Sequence, residues 1–167
     1  AHKMIAIPSA LIGKSIAEVF YQEMSAKKNM RFKCWPFFIK TVKHLFFIGL
    51  PTSFFIALFG PYLFQIVFGE QWKVSGEIAR YLAIVFLFTF VVSTVSSVFS
   101  VSGYIKRGAF WKHLYLITSL SIFAFSMLVG LKFFEFLLLF TIHEIVLYLI
   151  YFYLIAKSVR QIDESII

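Results

Sequence analysis

Residues 45–68 read LFFIGLPTSFFIALFGPYLFQIVF and contain no charged side chain. A transmembrane helix needs about 20 mostly apolar residues, so this stretch is long enough to cross a bilayer. Backbone groups in lipid must be hydrogen-bonded within the segment, and a barrel strand needs only about 10 residues. The stretch therefore predicts a transmembrane helix and sets the class of the fold.

The composition of the whole chain agrees with this prediction. Of its 167 residues, 60% are hydrophobic and only 14% are charged, and the mean hydropathy is +0.87. Soluble domains are about 25% charged. A chain of this length has too little interior to bury so much apolar surface in water. The composition indicates an integral membrane protein.

Four further segments are long and apolar enough to be considered as spans. Segments 81–104 and 114–131 carry no charge, whereas 4–22 and 133–156 carry a few ionisable residues. We predict an all-α integral membrane helical bundle, a single transmembrane domain over 1–167 with about five transmembrane helices. The predicted spans are residues 4–22, 45–68, 81–104, 114–131 and 133–156.

Basic residues are concentrated in alternate links between these spans. The basic link 24–44 holds Lys27, Lys28, Arg31, Lys33, Lys40 and Lys43, and further basic residues lie in 105–113 and in the tail. The link 69–80 is balanced, with two basic and two acidic residues. Because basic loops stay in the cytoplasm, we predict a cytoplasmic loop 24–44 and a cytoplasmic C-terminus. We expect 29–43 to lie along the inner leaflet as an amphipathic stretch broken near Pro36.

The balanced link is predicted to be a short turn on the outer side. We expect Gly69 to end one helix and Ser75 to begin the next, with Trp72 at the membrane interface.

No motif for catalysis or metal binding occurs in the chain. Cys34 is the single cysteine, and neither CxxC nor HExxH nor a Gly-rich phosphate loop is present. We expect no enzymatic activity, no catalytic residue, no metal and no cofactor. The net charge of +8 follows from the cytoplasmic links, so we expect no nucleic-acid partner.

The first three predicted spans resemble the polysaccharide biosynthesis proteins, which include the O-antigen and lipid-linked oligosaccharide flippases of the multidrug/oligosaccharidyl-lipid/polysaccharide exporter superfamily. The likeness covers most of 7–103, and Ser75 stands where the family often has a small Ala. The residues that carry it are, in order, Pro8, Ile12-Gly13, Val19-Phe20-Tyr21, Gly49-Leu50-Pro51, Phe59-Gly60, Phe68-Gly69, Trp72, Gly76 and Arg80-Tyr81-Leu82.

The resemblance implies the C-terminal lobe portion of a two-lobe flippase in a bacterial inner membrane. Such a protein would translocate undecaprenyl-pyrophosphate-linked oligosaccharide repeat units for surface polysaccharides such as the O-antigen of lipopolysaccharide. Its partners would be the lipid-linked oligosaccharide, membrane lipid, a missing N-terminal lobe of the same polypeptide, and the polysaccharide polymerase and chain-length machinery. The alternatives are a cation-coupled multidrug-type exporter of the same superfamily and a non-transporting membrane subunit or anchor.

Two sets of residues are candidates for substrate binding in a cavity. Lys14 lies near the middle of the first span, where a charge is costly. It either lines a cationic cavity for the pyrophosphate, as the resemblance implies, or contacts Glu18 or snorkels to the interface. Ser93, Ser97 and Ser100 recur at helical spacing and offer hydroxyls either to a sugar or to a neighbouring helix.

Candidates for ion coupling and for hinges lie in other spans. His143 and Glu144 are near the middle of 133–156, and either one takes part in proton coupling or both bond a neighbouring helix. Adjacent helical residues diverge by about 100°, so we do not expect them to form one site. Pro51 and the Gly60-Pro61 pair should kink the second span, as hinges or as packing features.

Overall fold

The structure, a computed structural model, describes the backbone of residues 2–165 and the side chains of residues 14–165. It is 91% helical, and the described residues form no strand. The helices are α1 His2–Asn29, α2 Trp35–Phe68, α3 Lys73–Val95, α4 Val98–Ser102, α5 Ile105–Val129 and α6 Phe133–Glu164. The predicted all-α fold is confirmed.

Four helical regions of the described chain are long and apolar enough to cross a membrane. They are Trp35–Phe68, Glu70–Ser102, Ile105–Val129 and Phe133–Glu164, and they correspond to the last four predicted spans. The first predicted span, 4–22, lies in α1, but its side chains before residue 14 fall outside the described part. That span stays a prediction, and the chain is a multi-pass membrane protein.

Helices α2 and α3 form the most closely packed pair, because small residues face each other across it. A Cβ atom added at Gly76 would lie 2.5 Å from Pro61 Cα and 2.6 Å from the Gly60 carbonyl oxygen. On α2, Gly49, Ser53 and Gly60 are buried along this face. Small residues let membrane helices approach backbone to backbone, and that is what this antiparallel hairpin shows.

The α2–α3 contact also satisfies a carbonyl that a proline leaves without its helical donor. Pro61 has no N–H, so the Ala57 carbonyl four residues earlier loses its usual partner. Arg80 of α3 fills that place, since its Nε donates to the Ala57 carbonyl oxygen at 2.8 Å. Nearby, the Ser53 hydroxyl donates to the Ala83 carbonyl. Helix α2 continues through Pro51 and Pro61, and the Gly60-Pro61 contact favours packing over a hinge.

The turn between α2 and α3 agrees with the sequence at one end and differs at the other. Gly69 ends α2 with φ +99° and donates its N–H to the Gln65 carbonyl, as expected. A 3₁₀ turn over Glu70–Trp72 follows, and α3 begins at Lys73. Ser75 therefore lies inside the helix, and its prediction as the first cap was wrong, because the 3₁₀ turn already supplies the helical start.

The predicted basic loop 24–44 is mostly helical, which corrects the sequence-based expectation. Helix α1 extends to Asn29 and ends where Arg31 takes φ +57°, with the Phe32 N–H bonded to the Lys27 carbonyl. This left-handed cap stops the helix sharply. Helix α2 starts at Trp35, and Pro36 is in its first turn, where its missing N–H has no cost. Proline begins the helix there and does not break an amphipathic stretch.

The third predicted span, 81–104, is interrupted at Ser96-Ser97, between α3 and α4. Around the break the backbone bonds shorten to the 3₁₀ pattern, as in Ser96 N–H to the Ser93 carbonyl at 3.2 Å. The Ser96 hydroxyl donates to the same carbonyl at 2.7 Å. Short hydroxyl side chains compete with the helical bonds and so end α3 early. The serines do not form one continuous helical face.

The ends of the helices that carry most of the basic residues, which we call the basic end, are joined by side-chain hydrogen bonds. The Asp163 carboxylate of α6 accepts the N–H groups of Cys34 at 2.6 Å and Trp35 at 3.0 Å, and so caps α2 from another helix. Cys34 has no exposed surface. Burial, then the nearby Asp163 charge, raises the pKa of its thiol, while Lys27 and Lys28 act in the opposite direction.

Two further cations connect helices at the basic end. The Lys28 ammonium of α1 donates to the Val101 carbonyl at the end of α4, at 2.6 Å. Arg107 of α5 donates to Ser158 at 3.0 Å and to Gln161 at 2.6 Å, both on α6. Side-chain hydrogen bonds join the helices at this end of the bundle. At the opposite end the chain reverses in two turns, after α2 at Gly69 and after α5 at Gly130.

Candidate functional site

A cluster of polar side chains is buried between α5 and α6, at the centre of the predicted span 133–156. Glu144 is only 4% exposed. Its neighbour His143 has a side chain that is 10% exposed. The members of this cluster, here called the polar cluster, are Tyr115, Thr118, Ser119, His143 and Glu144.

The hydrogen bonds of Thr118 fix the tautomer of His143. The Thr118 hydroxyl donates its proton to the Leu114 carbonyl at 2.8 Å. It must therefore accept from His143 Nε2, which lies 3.0 Å away. With the proton on Nε2, Nδ1 carries the lone pair, and this atom is 3.7 Å from Glu144 Oε1. This distance is too long for a hydrogen bond, and a shift of under about 1 Å would form one.

The structure brings His143 and Glu144 together, although adjacent residues on a helix point in different directions. His143 Nδ1 lies 3.7 Å from Glu144 Oε1, and His143 Nε2 lies 3.0 Å from the Thr118 hydroxyl of α5. The polar atoms of α5 and the cost of exposing polar groups to lipid favour this arrangement. The two side chains are therefore members of the same polar cluster.

Tyr115 and the aromatic residues beside it enclose the cluster. The Tyr115 side chain lies beside the Glu144 carboxylate and Ser119. Towards the basic end, Trp111 stacks on Tyr151 with ring centroids 3.9 Å apart, and its indole N–H donates to the Leu147 carbonyl at 3.0 Å. These contacts hold α5 against α6 and keep the cleft narrow.

Three buried polar atoms of the cluster have no hydrogen-bond partner within the described residues: Ser119 Oγ, His143 Nδ1 and Glu144 Oε1. An ionised carboxylate at the bilayer centre costs about 2.5–3.5 kcal/mol on insertion scales. A carboxylate buried in this way is stabilised when it is protonated or paired with a cation. The cluster offers a carboxylate oxygen and an imidazole lone pair that can hold one proton between them.

The other predicted site residues lie elsewhere. Lys14 is exposed, and in the part of the chain that the structure describes no carboxylate lies within 4.0 Å of it. The alternative contact with Glu18 is therefore not formed. Ser93 and Ser100 are exposed, whereas the Ser97 hydroxyl is buried and has no partner among the described residues. None of these residues joins the polar cluster.

Sequence reasoning missed the α5 half of the cluster. Tyr115, Thr118 and Ser119 recur at i, i+3 and i+4 in a segment without charge, which places them on one helical face. That spacing was a usable signal. What the sequence could not indicate is that this face of α5 meets His143 and Glu144.

An antiparallel bundle of long apolar helices with a buried ionisable pair defines a polytopic α-helical membrane protein. Within that class, residues 1–77 match the family model described as polysaccharide biosynthesis protein. This match, over a little under half of the chain, supports the family that the resemblance indicated and a role in polysaccharide biosynthesis. No curated protein and no solved structure matches the chain.

Proposed function

We propose that the chain takes part in translocating undecaprenyl-pyrophosphate-linked oligosaccharide repeat units across a bacterial inner membrane, as the C-terminal part of a larger transporter. The observation that carries the proposal is the family match over residues 1–77 in a chain with four apolar helices long enough to span. A multi-pass bundle suits movement of a substrate across a bilayer better than synthesis of a sugar bond. On this proposal the chain is no enzyme.

The mechanism that suits such a bundle is alternating access between two lobes, with this chain supplying part of one. Its partners are the lipid-linked oligosaccharide, the preceding lobe of the same polypeptide, and the polymerase and chain-length machinery that use the product. The basic end faces the cytoplasm, because basic residues are retained on that side. This orientation places the C-terminus in the cytoplasm as well.

The polar cluster supports coupling of this movement to a proton. Glu144 is buried, and among the described residues the basic group within 4.0 Å of its carboxylate is the His143 imidazole, with Nδ1 3.7 Å from Oε1. One proton can be held between the two groups, and its loss would leave a carboxylate that must reach water. Separation of α5 from α6 would provide that access. Proton binding would then favour the closed form of this helix pair.

The same observation favours a second candidate, a cation-coupled exporter of small molecules from the same superfamily. The two functions differ in their substrate and so in what accumulates when the protein is missing. Loss of a flippase traps lipid-linked oligosaccharide in the cytoplasmic leaflet. Loss of an exporter raises cellular sensitivity to toxic cations and leaves surface polysaccharide unchanged.

The test is complementation of a gene deletion with the intact coding sequence carrying Glu144→Gln. We expect surface polysaccharide to fall and lipid-linked oligosaccharide to accumulate, because the amide cannot carry the exchangeable proton. The matched control is Glu135→Gln, an exposed position on the same helix. Normal polysaccharide with Glu144→Gln at normal expression would refute the coupling role. Loss of polysaccharide without accumulation of the lipid-linked intermediate would refute translocation.

A further inference from the structure

A groove between α2 and α6 combines a wholly apolar lining with a free cation at one end. Its deepest part is a cavity of about 200 Å³ that is also bordered by α3. The lining side chains are Val42, Phe46, Leu87, Phe88, Val91, Val92, Leu149 and Phe152. The cavity is smaller than the roughly 300–1,000 Å³ typical of small-molecule pockets, so it can hold only part of a flexible chain.

Two rows of side chains extend this groove to the basic end. On α2, helical spacing places Trp35 and Ile39 in line with Val42, and on α6 it places Ala156 and Arg160 in line with Phe152. The rows meet where the Arg160 guanidinium lies over the Trp35 ring, 4.5 Å from its centroid. At 1.5 Å per residue, about 12 Å separates Arg160 from Phe152 along α6.

Arg160 has an unneutralised charge at this end of the groove. It is exposed, and none of the described carboxylates lies within 4.0 Å of it. Asp163, one turn away, is already occupied by the N–H groups of Cys34 and Trp35. A guanidinium binds phosphate well because its donors match two phosphate oxygens at once. The aromatic ring beside it is typical of the level of lipid headgroups.

The lining favours a lipid chain over another transmembrane helix as the occupant. Close approach of a helix requires small residues along the groove. Here the cavity is lined by Val, Leu and Phe, and Ala156 is the one small residue in the two rows. A flexible hydrocarbon chain fits between such side chains without a close backbone approach.

We propose that the α2–α6 groove binds an anionic phospholipid of the leaflet at the basic end. Its phosphate lies against Arg160, and one acyl chain follows the groove to the cavity at Phe46 and Leu149. The lipid fills the gap between α2 and α6 and joins the two helices whose ends are already tied by Asp163. This site is separate from the polar cluster, and it does not depend on the proposed function.

The test is native mass spectrometry of the full chain titrated with phosphatidylglycerol, with phosphatidylcholine and a prenyl monophosphate as parallel probes. We expect phosphatidylglycerol to reach half occupancy at a lower concentration than either of the others. Arg160→Ala should raise that concentration about fivefold, as expected for one cation at a lipid headgroup. Lys106→Ala removes an exposed cation at the same end, away from the groove, and should leave it unchanged.

A second pair of variants tests the groove itself. Leu149→Trp fills the cavity and should weaken phosphatidylglycerol binding. Ile150→Trp is its control, because it places the same ring on the next face of α6 and should weaken binding less. Equal effects of Arg160→Ala and Lys106→Ala, or of the two tryptophans, would overturn the proposal. Binding of phosphatidylcholine as tightly as phosphatidylglycerol would also overturn the proposal. Tighter binding of the prenyl monophosphate would overturn it too and would point to the lipid carrier of the substrate. If Arg160→Ala aggregates, Arg160→Gln removes the charge and keeps a planar group over Trp35.

Discussion

Replacing Gly76 with alanine should separate α2 from α3, and the size of the effect can be worked out from the contact. The added methyl group would lie 2.5 Å from Pro61 Cα and 2.6 Å from the Gly60 carbonyl oxygen. Carbon atoms in contact normally lie about 3.5–4.0 Å apart, so the helices must move by about 1 Å or more. Both neighbours are backbone atoms, and neither can rotate away.

This movement has an energetic cost that outweighs the gain from a better helix former. Overpacking costs about 1–3 kcal/mol, and the two hydrogen bonds beside the contact, from Arg80 and from Ser53, contribute about 0.6 kcal/mol each in a membrane. Alanine in place of glycine returns about 0.5–1 kcal/mol. The net loss is about 2 kcal/mol, which corresponds to a fall of about 4–8 °C in Tm for a chain of this size.

The assay is thermal unfolding in detergent, followed with a thiol-reactive fluorophore that reports exposure of Cys34, which is fully buried in the folded protein. Gly108→Ala is the matched control, because the atoms nearest its methyl group would belong to the Phe99 side chain, at 3.2 Å, and that ring need shift by only a few tenths of an ångström. We expect its Tm to stay within about 2 °C of the parent. A Tm for Gly76→Ala at or above that of Gly108→Ala would refute the account of the α2–α3 contact.

Three further predictions concern single polar contacts. Arg80→Ala should destabilise the protein by about 0.6–1.7 kcal/mol. In a Pro61→Ala background the loss should be almost nothing, because residue 61 regains an N–H for the Ala57 carbonyl. Equal losses of stability in both backgrounds would contradict the proline explanation. Asp163→Asn should lower the raised pKa of Cys34, measured by the ultraviolet absorbance of the thiolate as the pH is raised. Because the folded-state pKa is raised, the stability that Cys34 contributes is present below its ordinary pKa and lost as the pH rises through the folded value; an absorbance titration unchanged by Asp163→Asn would contradict the contribution of the Asp163 charge. Lys14→Ala in the intact protein should reduce surface polysaccharide if Lys14 contacts the pyrophosphate, and unchanged polysaccharide at normal expression would exclude that role.

The membrane class and four of the five spans could be predicted because they depend on composition along one segment. The span 45–68 could be predicted from its length and its lack of charge alone. The end of α2 at Gly69 could be predicted from the backbone freedom of glycine. The limits of the helices could not be predicted in the same way. The basic side chains in 24–44 predicted a loop. The ends of amphipathic helices that extend beyond the hydrocarbon tolerate the same charges, so the charges alone do not distinguish the two.

The candidate site was half predictable for a related reason. Glu144 and His143 stand out because ionisable residues are rare in an apolar run. Their mutual approach depends on side-chain rotamers, and their enclosure depends on which face of α5 packs against α6. Likewise, the role of Arg80 follows from a carbonyl that Pro61 leaves unpaired on a different helix, and the sequence spacing of 19 residues does not show that the two meet.

The most direct test of the central claim is translocation by the purified full-length protein in proteoliposomes. Fluorescent lipid-linked oligosaccharide is placed in both leaflets, and a membrane-impermeant reductant bleaches the outer pool. We predict that the inner pool also becomes accessible when the protein is present, and that Glu144→Gln slows this exchange while Glu135→Gln does not. If the inner pool stays protected from the reductant in vesicles that contain folded protein, translocation as the function is contradicted.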